Sequence, residues 1–513
     1  KHFTLTGKST TNDNMNYHII LVVEENTFTD NALMYKLESL NNDNNGSVAS
    51  SIDELSGIPT DSNEIFLGNG SFESPTSGNK LHTYSLELYF PDTIEDQNEN
   101  QGKTFKAYIS VRENKYEYNE IKGVNHPILF TGMTPIKWDE NNNEIETIES
   151  DLDWYDYDNK KWANAKSADG SYWVWIPRYA YKIESCYHTS GEDCLALTGK
   201  EAGDIDVKFL KGRTTETKDS TTIEISGYEP GVKDTSMHYF LHPAFDFDDG
   251  YIGFWMAKFE PSVADQANEC YTNPNLINCN VTNLQPKITP NASSWRYINL
   301  NNSYNVIKNI KNVTDIYGWD NIELDSRITT NLEWGAVAYL SKSDYGAKAE
   351  VWNNSYNKYY TGCSSGYVSS GDSTLCYEYN TAYGQKASTT HNIYGIYDMA
   401  GGSHEIVMAN LNNNLGQSDF TYEDVLNINY IDNYKANYSL IYGDAVYETS
   451  SGLNNSSSWY EDYSGYLNES APWFIRGGYI GNATHGGVYF YYRNNGSAFS
   501  DVSFRVTLIS LTT

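Results

Sequence analysis

The sequence has no apolar run of about 18 residues, the length that a helix needs to span a bilayer. Positive charge is also scarce, because 35 Lys and Arg residues stand against 67 Asp and Glu residues, and the formal net charge is −32. A chain this acidic is repelled by nucleic-acid phosphates and by anionic lipid headgroups. We therefore expect no nucleic-acid partner and no membrane insertion.

Cysteine is scarce as well, and its six copies follow a pattern. No CxxC is present, and no His spacing completes a zinc site. The cysteines form three local pairs around Gly-, Asn- or Ser-rich loops: Cys186 with Cys194, Cys270 with Cys279, and Cys363 with Cys376. Such pairs predict three loop-stapling disulfides and an oxidising compartment, with six reduced core thiols as the alternative.

Motifs of catalysis are missing too. The sequence contains no P-loop, no GxSxG and no Ser-His-Asp order, and its ten histidines are scattered without an HxH or a helical i, i+4 pair. Two acidic clusters are candidate calcium ligands: residues 151–159, and Asp246 with Asp248 and Asp249. Neither matches an EF-hand loop, and the aromatic residues around them favour solvated strand faces. We expect no enzymatic activity and no cofactor, with calcium left open as an alternative.

Tyrosine, with 44 copies, and asparagine are abundant instead. Tyr supplies rigid contact area and Asn supplies adaptable hydrogen bonds, a combination that binding loops favour; an A+T-rich genome is the alternative cause. At 513 residues the chain is too long for one core, so we expect two or three domains. The start at Lys1, without an initiator Met or a signal peptide, is typical of a processed protein, and we expect an extracellular or cell-surface location.

Residues 1–115 are expected to form an all-β sandwich that serves as a stalk or assembly domain. The run 16–25 is apolar on both faces, as in a strand buried on both sides, while 82–90 and 103–111 alternate as half-buried strands joined by a long polar hairpin loop. In the second run, Tyr84, Leu86, Leu88 and Phe90 are expected to face the core.

Residues 116–125 are polar and charged, which indicates a linker, and 126–513 are expected to form the second domain. The segment 171–183 predicts a strand that is interrupted at Pro177 and then resumes. Residues 329–346 predict a helix that Thr330 or Asn331 caps and that is the only convincing helix near the middle of the chain. The fold class is therefore α+β and mainly β, with few helices in a large, loop-rich second domain.

Four segments in order carry a resemblance: 242–262, 331–346, 392–408 and 474–508. Their key residues are Phe254, Trp255, Lys258 and Glu260; Glu333, Trp334 and Ala336; Gly395, Tyr397, Asp398, Met399, Gly401 and Glu405; and Arg476, Gly477, Gly478, Ser503, Phe504 and Arg505. Together they resemble the motifs of the formylglycine-generating-enzyme family and its noncatalytic relatives. The resemblance implies a C-type-lectin-type fold for this domain. Arg476 and Arg505 are expected to pair with buried carboxylates such as Glu333 or Glu405.

The sequence departs from that family where the family performs chemistry. Catalytic members use a reactive Cys pair near the C-terminal part of the fold, and iron-dependent relatives use several His, whereas the last cysteine here is Cys376. Gly402 and His404 stand where the family usually has Asn and Trp, in a turn that can help to hold calcium. The missing Cys pair and His set indicate a noncatalytic member and leave an oxidase as the least favoured alternative, whereas the departures at Gly402 and His404 argue against calcium at that turn.

The final segment, 476–505, resembles the variable region of retroelement-diversified surface and phage proteins, in which "RGG" and "SFR" frame the variable sites. The resemblance implies an adhesin-like ligand-binding face that contacts a protein or a glycan on another cell or surface. The candidate contact residues are Tyr479, Ile480, Asn482, Thr484, His485, Tyr491, Tyr492, Arg493, Asn494, Asn495, Ser497, Phe499 and Asp501.

The pair of strands around "YSLELYFPD" and "GKTFKAYISV" resembles exported TasA-like β-sandwich proteins of Gram-positive bacteria. That resemblance implies an alternative function, in which the N-terminal sandwich polymerises with identical subunits into an extracellular filament or pilus. The binding function and the filament function can both be true of one protein.

Overall fold

The structure is a computed structural model that divides into two compact units, residues 1–117 and 118–511. The residues that it describes are 1–8, 15–29, 31–58, 64–92, 97–113, 118–119, 122–149, 151–186, 202–219, 221, 223–224, 238–247, 250–273, 277–367, 372–426, 428, 430–436, 441–451 and 454–511.

The first unit contains seven described strands in two antiparallel sheets. The strands are β1 (His2–Gly7), β2 (Met15–Asn26), β3 (Met34–Asn41), β4 (Ile52–Gly57), β5 (Glu64–Phe72), β6 (Lys80–Tyr89) and β7 (Phe105–Glu113). One sheet has the order β1-β6-β3-β4 and the other has the order β5-β2-β7. Ile19, Leu21 and Leu37 lie in the core that both sheets line, as expected of a sandwich.

Two details of this unit differ from the sequence-based prediction. Leu88 and Phe90 are 47% and 46% exposed, so only the first half of their run is buried. β6 pairs with β1 and β3, whereas β7 pairs with β2, so the polar loop between β6 and β7 crosses from one sheet to the other. The prediction of a hairpin was wrong because the alternation of one strand does not specify its neighbour.

The described part of the second unit contains many short strands. They are β8 (Tyr118–Asn119), β9 (Val124–Asn125), β10 (Thr134–Trp138), β11 (Glu144–Glu146), β12 (Asn164–Lys166), β13 (Tyr172–Pro177), β14 (Tyr179–Ile183), β15 (Ile205–Phe209), β16 (Ile223–Glu224), β17 (Tyr239–Leu241), β18 (Gly253–Ala257), β19 (Pro261–Val263), β20 (Pro286–Ile288), β21 (Leu324–Ile328), β22 (Cys363–Ser364), β23 (Tyr377–Glu378), β24 (His404–Leu411), β25 (Asp432–Tyr434), β26 (Asn454–Ser457), β27 (Tyr463–Gly465), β28 (Trp473–Arg476), β29 (Tyr491–Asn494), β30 (Val502–Phe504) and β31 (Val506–Ser510).

Two larger sheets organise these strands. One has the order β11-β10-β12-β13-β18-β31-β21, and the other has the order β25-β24-β28-β29-β27-β26, with β30 paired to β24. The predicted interruption at Pro177 is real: β13 joins the first sheet, and β14 joins a separate sheet with β15, β17 and β16. Pro177 ends β13 since a proline has no backbone N–H for a further ladder bond.

The described helices are short: α1 (Glu269–Thr272), α2 (Leu300–Asn309), α3 (Thr314–Tyr317), α4 (Asn331–Lys342) and α5 (Tyr422–Leu426). α4 is the predicted helix, and Thr330 caps it. α2 was missed, although Asn299 caps it and Leu300, Val306 and Ile307 are buried, because its many Asn residues weaken the helical signal. The mainly β fold class is confirmed.

Disulfides join Cys270 to Cys279 and Cys363 to Cys376, as predicted. Cys186 is buried, and Cys194 lies outside the described residues. Among the described residues, no helix is both long and apolar enough to cross a membrane.

Candidate ligand-binding face

The C-terminal segment is held in the fold by buried charged side chains, of which Arg505 is one. Arg505 and Glu405 are both fully buried, and the Arg505 Nε donates to Glu405 Oε2 at 2.7 Å while its Nη2 donates to Oε1. The Arg505 guanidinium also donates to two backbone carbonyls, those of Ala257 and Tyr397, at 2.7 and 2.9 Å. One side chain therefore joins β18, β24 and the turn before β24, and the expectation that Arg505 pairs with a buried carboxylate is confirmed, with Glu405 as the partner.

The predicted pairing of Arg476 with a carboxylate is wrong. Glu333 pairs with Arg327 instead, whose Nε donates to Glu333 Oε1 at 3.0 Å, and the other Glu333 oxygen accepts the Thr330 N–H of the α4 cap. Arg476 is fully buried and donates to Asn331 Oδ1 at 3.1 Å, and among the described residues no carboxylate lies within ion-pair distance of it. Burial lowers the pKa of Arg476 to about 10.

Lys258, a residue of the first motif, is occupied inside the fold. Its Nζ donates to Asn164 Oδ1 at 2.8 Å and to the carbonyls of Ile393 and Gly395 at 2.6 and 2.9 Å. Burial lowers the pKa of this fully buried amine well below its ordinary value. All three ammonium donors have partners, so Lys258 ties β18 to the loop before β24.

The candidate face begins at the turn after β28. Gly477 and Gly478 have φ values of 79° and 71°, a left-handed conformation that disfavours other residues, and a Cβ on Gly478 would lie 2.4 Å from the Gly486 Cα. Tyr479 is the first residue after this turn. The N–H of Ile480 donates to the Gly402 carbonyl at 3.0 Å, which attaches the loop to the turn before β24. The Tyr479 N–H donates to Asn482 Oδ1 at 2.8 Å, a bond within the loop itself.

A continuous row of five rings and one guanidinium follows, which we call the aromatic strip: Tyr479, His404, Phe490, Tyr463, Tyr492 and Arg493. Ring centroids are 4.8 Å apart for Tyr479 and His404, 5.1 Å for His404 and Phe490, 6.4 Å for Phe490 and Tyr463, and 5.4 Å for Tyr463 and Tyr492. The Arg493 guanidinium lies 5.0 Å from the Tyr492 ring centre. His404 and Phe490 are buried and form the floor, whereas the three tyrosines and Arg493 are half-buried.

The structure separates the remaining predicted contact residues. Ile480, Asn482 and Thr484 are half-buried on the loop after Tyr479, and His485 is exposed, with its Nδ1 3.0 Å from the Glu461 carbonyl oxygen. Asn495 and Ser497 lie beyond the far end of β29, where both contact Gln417.

Phe499 and Asp501 complete the predicted set near the start of β24. Phe499 is 39% exposed, and the half-buried Asp501 accepts the His404 N–H on its backbone carbonyl at 2.8 Å. Burial raises the pKa of the Asp501 carboxyl, and Arg296 opposes the rise.

Two of the predicted contact residues are corrected. Tyr491 is fully buried, and its hydroxyl lies 3.2 Å from Ser450 Oγ, so it packs in the core. Asn494 is 9% exposed, and its Oδ1 accepts the Gly496 N–H at 2.7 Å, so it shapes a turn. The alternation of β29 explains the burial of Tyr491, since Tyr491 and Tyr492 point to opposite faces of the sheet.

Sequence reasoning missed His404 and Tyr463 as members of the strip. His404 is a departure from the motif that this segment resembles, and that departure could have drawn attention to it. Tyr463 carried no signal, because it reaches the strip only through the pairing of β27 with β29.

No group of three or more His, Cys, Asp or Glu side chains in the described part of the chain is arranged to hold a metal ion. In the acidic cluster 151–159, the Asp151 carboxylate is engaged by Lys137 Nζ at 2.5 Å and by Thr147, which lowers its pKa to about 2. In the other cluster, Asp248 and Asp249 lie outside the described residues.

Comparisons with known proteins do not assign the chain to a family. No family model matches the chain, and no curated protein matches it. Among solved structures, Treponema denticola variable protein 1 is similar at 14% identity with a TM-score of 0.25, over 55% of this chain and 92% of that chain. A TM-score this low does not establish a shared fold.

Proposed function

We propose that this protein is an exported, noncatalytic binding protein of the cell surface, whose second unit has a C-type-lectin-type fold of the formylglycine-generating-enzyme kind. Its aromatic strip contacts a protein or glycan partner. The observation that carries the proposal is the strip itself: half-buried Tyr and Arg side chains on a buried floor, the residue types that dominate binding hot spots.

The buried charged side chains support a binding function over catalysis. Arg505 bonds Glu405 and backbone carbonyls, and Lys258 bonds Asn164 and backbone carbonyls, so the polar atoms of these motif residues are occupied inside the fold. They are thereby fixed as supports, and a contact surface with few regular elements benefits from such supports because less side-chain and loop freedom is lost when a ligand binds. The disulfides of the second unit support an oxidising, extracellular location.

The test is binding of the fluorescently labelled full-length protein to panels of bacterial and animal cells. Tyr479→Ala and Tyr492→Ala are expected to weaken binding at least tenfold, as the loss of a hot-spot ring does. Tyr422→Ala is the matched control, because Tyr422 is 60% exposed in the same unit and lies outside the strip. Equal binding by all four proteins, or binding by none of them, would refute the proposal.

A second candidate function, assembly into a filament through the first unit, is favoured by one observation. β1 pairs with β6 only from Lys80 to Ser85, whereas β3 pairs with β6 as far as Tyr89. The end of β6 and the edge strand β7 therefore border an open groove of about 830 Å³, whose apolar lining includes Leu21, Leu88 and Ile109. A strand of another subunit could add to such an edge.

Electron microscopy of the purified protein tests this second candidate. Filaments are expected for the wild type, and Leu88→Asp, which places a charge in the groove, is expected to abolish them. Leu40→Asp is the control, since Leu40 is 57% exposed in the same unit and does not line the groove. Single particles of the wild type at all concentrations would contradict the filament function.

A further inference from the structure

A second cluster of exposed rings lies outside the aromatic strip and shares no residue with it. It consists of Trp352, Tyr367, Tyr377 and Tyr383, which we call the Trp352 platform. Tyr383 and Tyr367 are 59% and 45% exposed, and Trp352 and Tyr377 are half-buried. Exposed aromatic side chains in mutual contact are uncommon on a surface that binds nothing.

The rings of the platform lie against one another. Tyr377 and Tyr383 have centroids 5.1 Å apart and an interplanar angle of 30°, and Trp352 and Tyr383 have centroids 6.1 Å apart and an angle of 37°. Tyr367 stands at 78° to Trp352 and forms a wall, and its hydroxyl bonds Glu350, which raises the Tyr367 pKa. The result is a compact cluster of three tilted rings with Tyr367 at a steep angle beside Trp352.

The backbone beneath these rings is held in place. The Cys363–Cys376 disulfide closes the loop that precedes Tyr377, and the Trp352 N–H donates to the Lys386 carbonyl at 2.9 Å. Gly384 allows the turn after Tyr383 to lie against β23, because a Cβ there would be 1.8 Å from the Glu378 carbonyl oxygen. A ring platform on a fixed backbone loses little freedom when a ligand settles on it.

The polar atoms of Trp352, Tyr377 and Tyr383 are open to a ligand. In the part of the chain that the structure describes, the Trp352 Nε1 and the hydroxyls of Tyr377 and Tyr383 form no hydrogen bond with the protein. Each ring thus offers an apolar face together with a donor at its edge. The chain's net charge of −32 disfavours an anionic ligand and leaves an uncharged one unaffected.

We propose that the Trp352 platform binds an uncharged oligosaccharide. The C–H faces of pyranose rings stack on Trp352, Tyr377 and Tyr383, and sugar hydroxyls bond the free Nε1 and hydroxyl groups. A neutral sugar is the ligand class that combines apolar ring faces with many hydroxyls and no charge. This site is independent of the partner that we assign to the aromatic strip.

Affinity electrophoresis of the full-length protein in gels containing soluble neutral polysaccharides tests the site, with glucans, mannans, galactans and xylans as probes. At least one polysaccharide is expected to retard the wild type. Trp352→Ala and Tyr383→Ala are expected to weaken binding about tenfold, and Tyr383→Phe, which keeps the ring, is expected to change it by about twofold at most. Near-ultraviolet circular dichroism confirms that each variant is folded.

Two controls make the outcomes distinct. Tyr422→Ala removes an exposed tyrosine elsewhere in the unit and is expected to leave retardation unchanged. A Tyr479→Ala, Tyr492→Ala double variant disables the aromatic strip and is also expected to leave it unchanged. The proposal is overturned if no polysaccharide retards the wild type, if the platform variants are retarded like the wild type, or if the double variant loses retardation, which would place the sugar on the strip.

Discussion

Single residues decide much of the stability of the second unit, because several ions are buried there. Arg505 and Glu405 have no exposed surface, and each satisfies the charge of the other. Removing one member of such a pair leaves an uncompensated charge in a medium that cannot solvate it.

We therefore expect Arg505→Ala to destabilise the protein by about 3–5 kcal/mol, measured as a shift of the urea unfolding midpoint at constant slope. Lys106→Ala, which breaks the exposed pair of Lys106 with Glu25 in the first unit, is the control and should leave the midpoint unchanged. A small effect of Arg505→Ala would mean that the pair is hydrated.

Buried carboxyls predict a pH dependence. Burial raises the pKa of Asp432 to about 8 and that of Asp444 to about 7. The folded chain then holds protons that the unfolded chain releases above about pH 4, so stability from these groups is present at low pH and is lost as the pH rises from about 4 to about 8.

Asp432→Asn is expected to flatten this decline, because Asn does not titrate and can still accept the Leu332 N–H that Asp432 accepts. Thermal unfolding between about pH 5 and 8 measures the slope. Asp372→Asn is the matched control: Asp372 is exposed, and Thr374 lowers its pKa, so its contribution is lost only as the pH falls below this window. A slope that Asp432→Asn leaves unaltered would contradict the assignment.

At the scale of elements, α4 is stabilised by packing against its surroundings as well as by the helical preference of its own residues. Every residue from Asn331 to Lys342 is buried, and the capping box of Thr330 and Glu333 sets its first turn. Gly335 lies in the middle of the helix, where alanine would ordinarily be favoured by about 1 kcal/mol. Here a Cβ on Gly335 would lie 2.2 Å from the Gly443 carbonyl oxygen.

Gly335→Ala is consequently expected to destabilise the protein by about 1–3 kcal/mol, the reverse of the helix-propensity effect. Asn305→Ala, at an exposed position of α2, should be neutral or stabilising by comparison. Urea midpoints of both variants check the pair. Stabilisation by Gly335→Ala would show that α4 can move away from Gly443.

At the scale of the whole molecule, the net charge of −32 is the dominant long-range feature. Like charges repel one another in the compact state, and salt screens that repulsion. The melting temperature is therefore expected to rise as NaCl increases from about 20 to about 300 mM.

Calcium chloride at matched ionic strength separates this effect from a specific metal site. Equal shifts in the two salts are expected if calcium acts only by screening. An extra stabilisation by calcium, abolished by a chelator, would instead support the calcium alternative that the acidic clusters raised.

Local patterns could be read from the sequence because the forces behind them are local. The α4 cap and the break at Pro177 depend on residues next to one another, and the two described disulfides join cysteines only 9 and 13 positions apart, so local spacing limits the geometry. Arg505 and Glu405 are 100 positions apart, and for such a distant pair the sequence predicted only that Arg505 meets a buried carboxylate such as Glu333 or Glu405.

The sequence by itself determined a mainly β protein with few helices, a predominance of acid, and a C-terminal segment rich in Tyr and Asn. Only the tertiary structure decided which tyrosines face outward. Tyr491 and Tyr492 are neighbours of the same type, yet the pairing of β29 between β28 and β27 buries one and exposes part of the other. The aromatic strip and the Trp352 platform likewise join rings from distant segments, because contacts between strands and loops depend on register and packing that no single segment encodes.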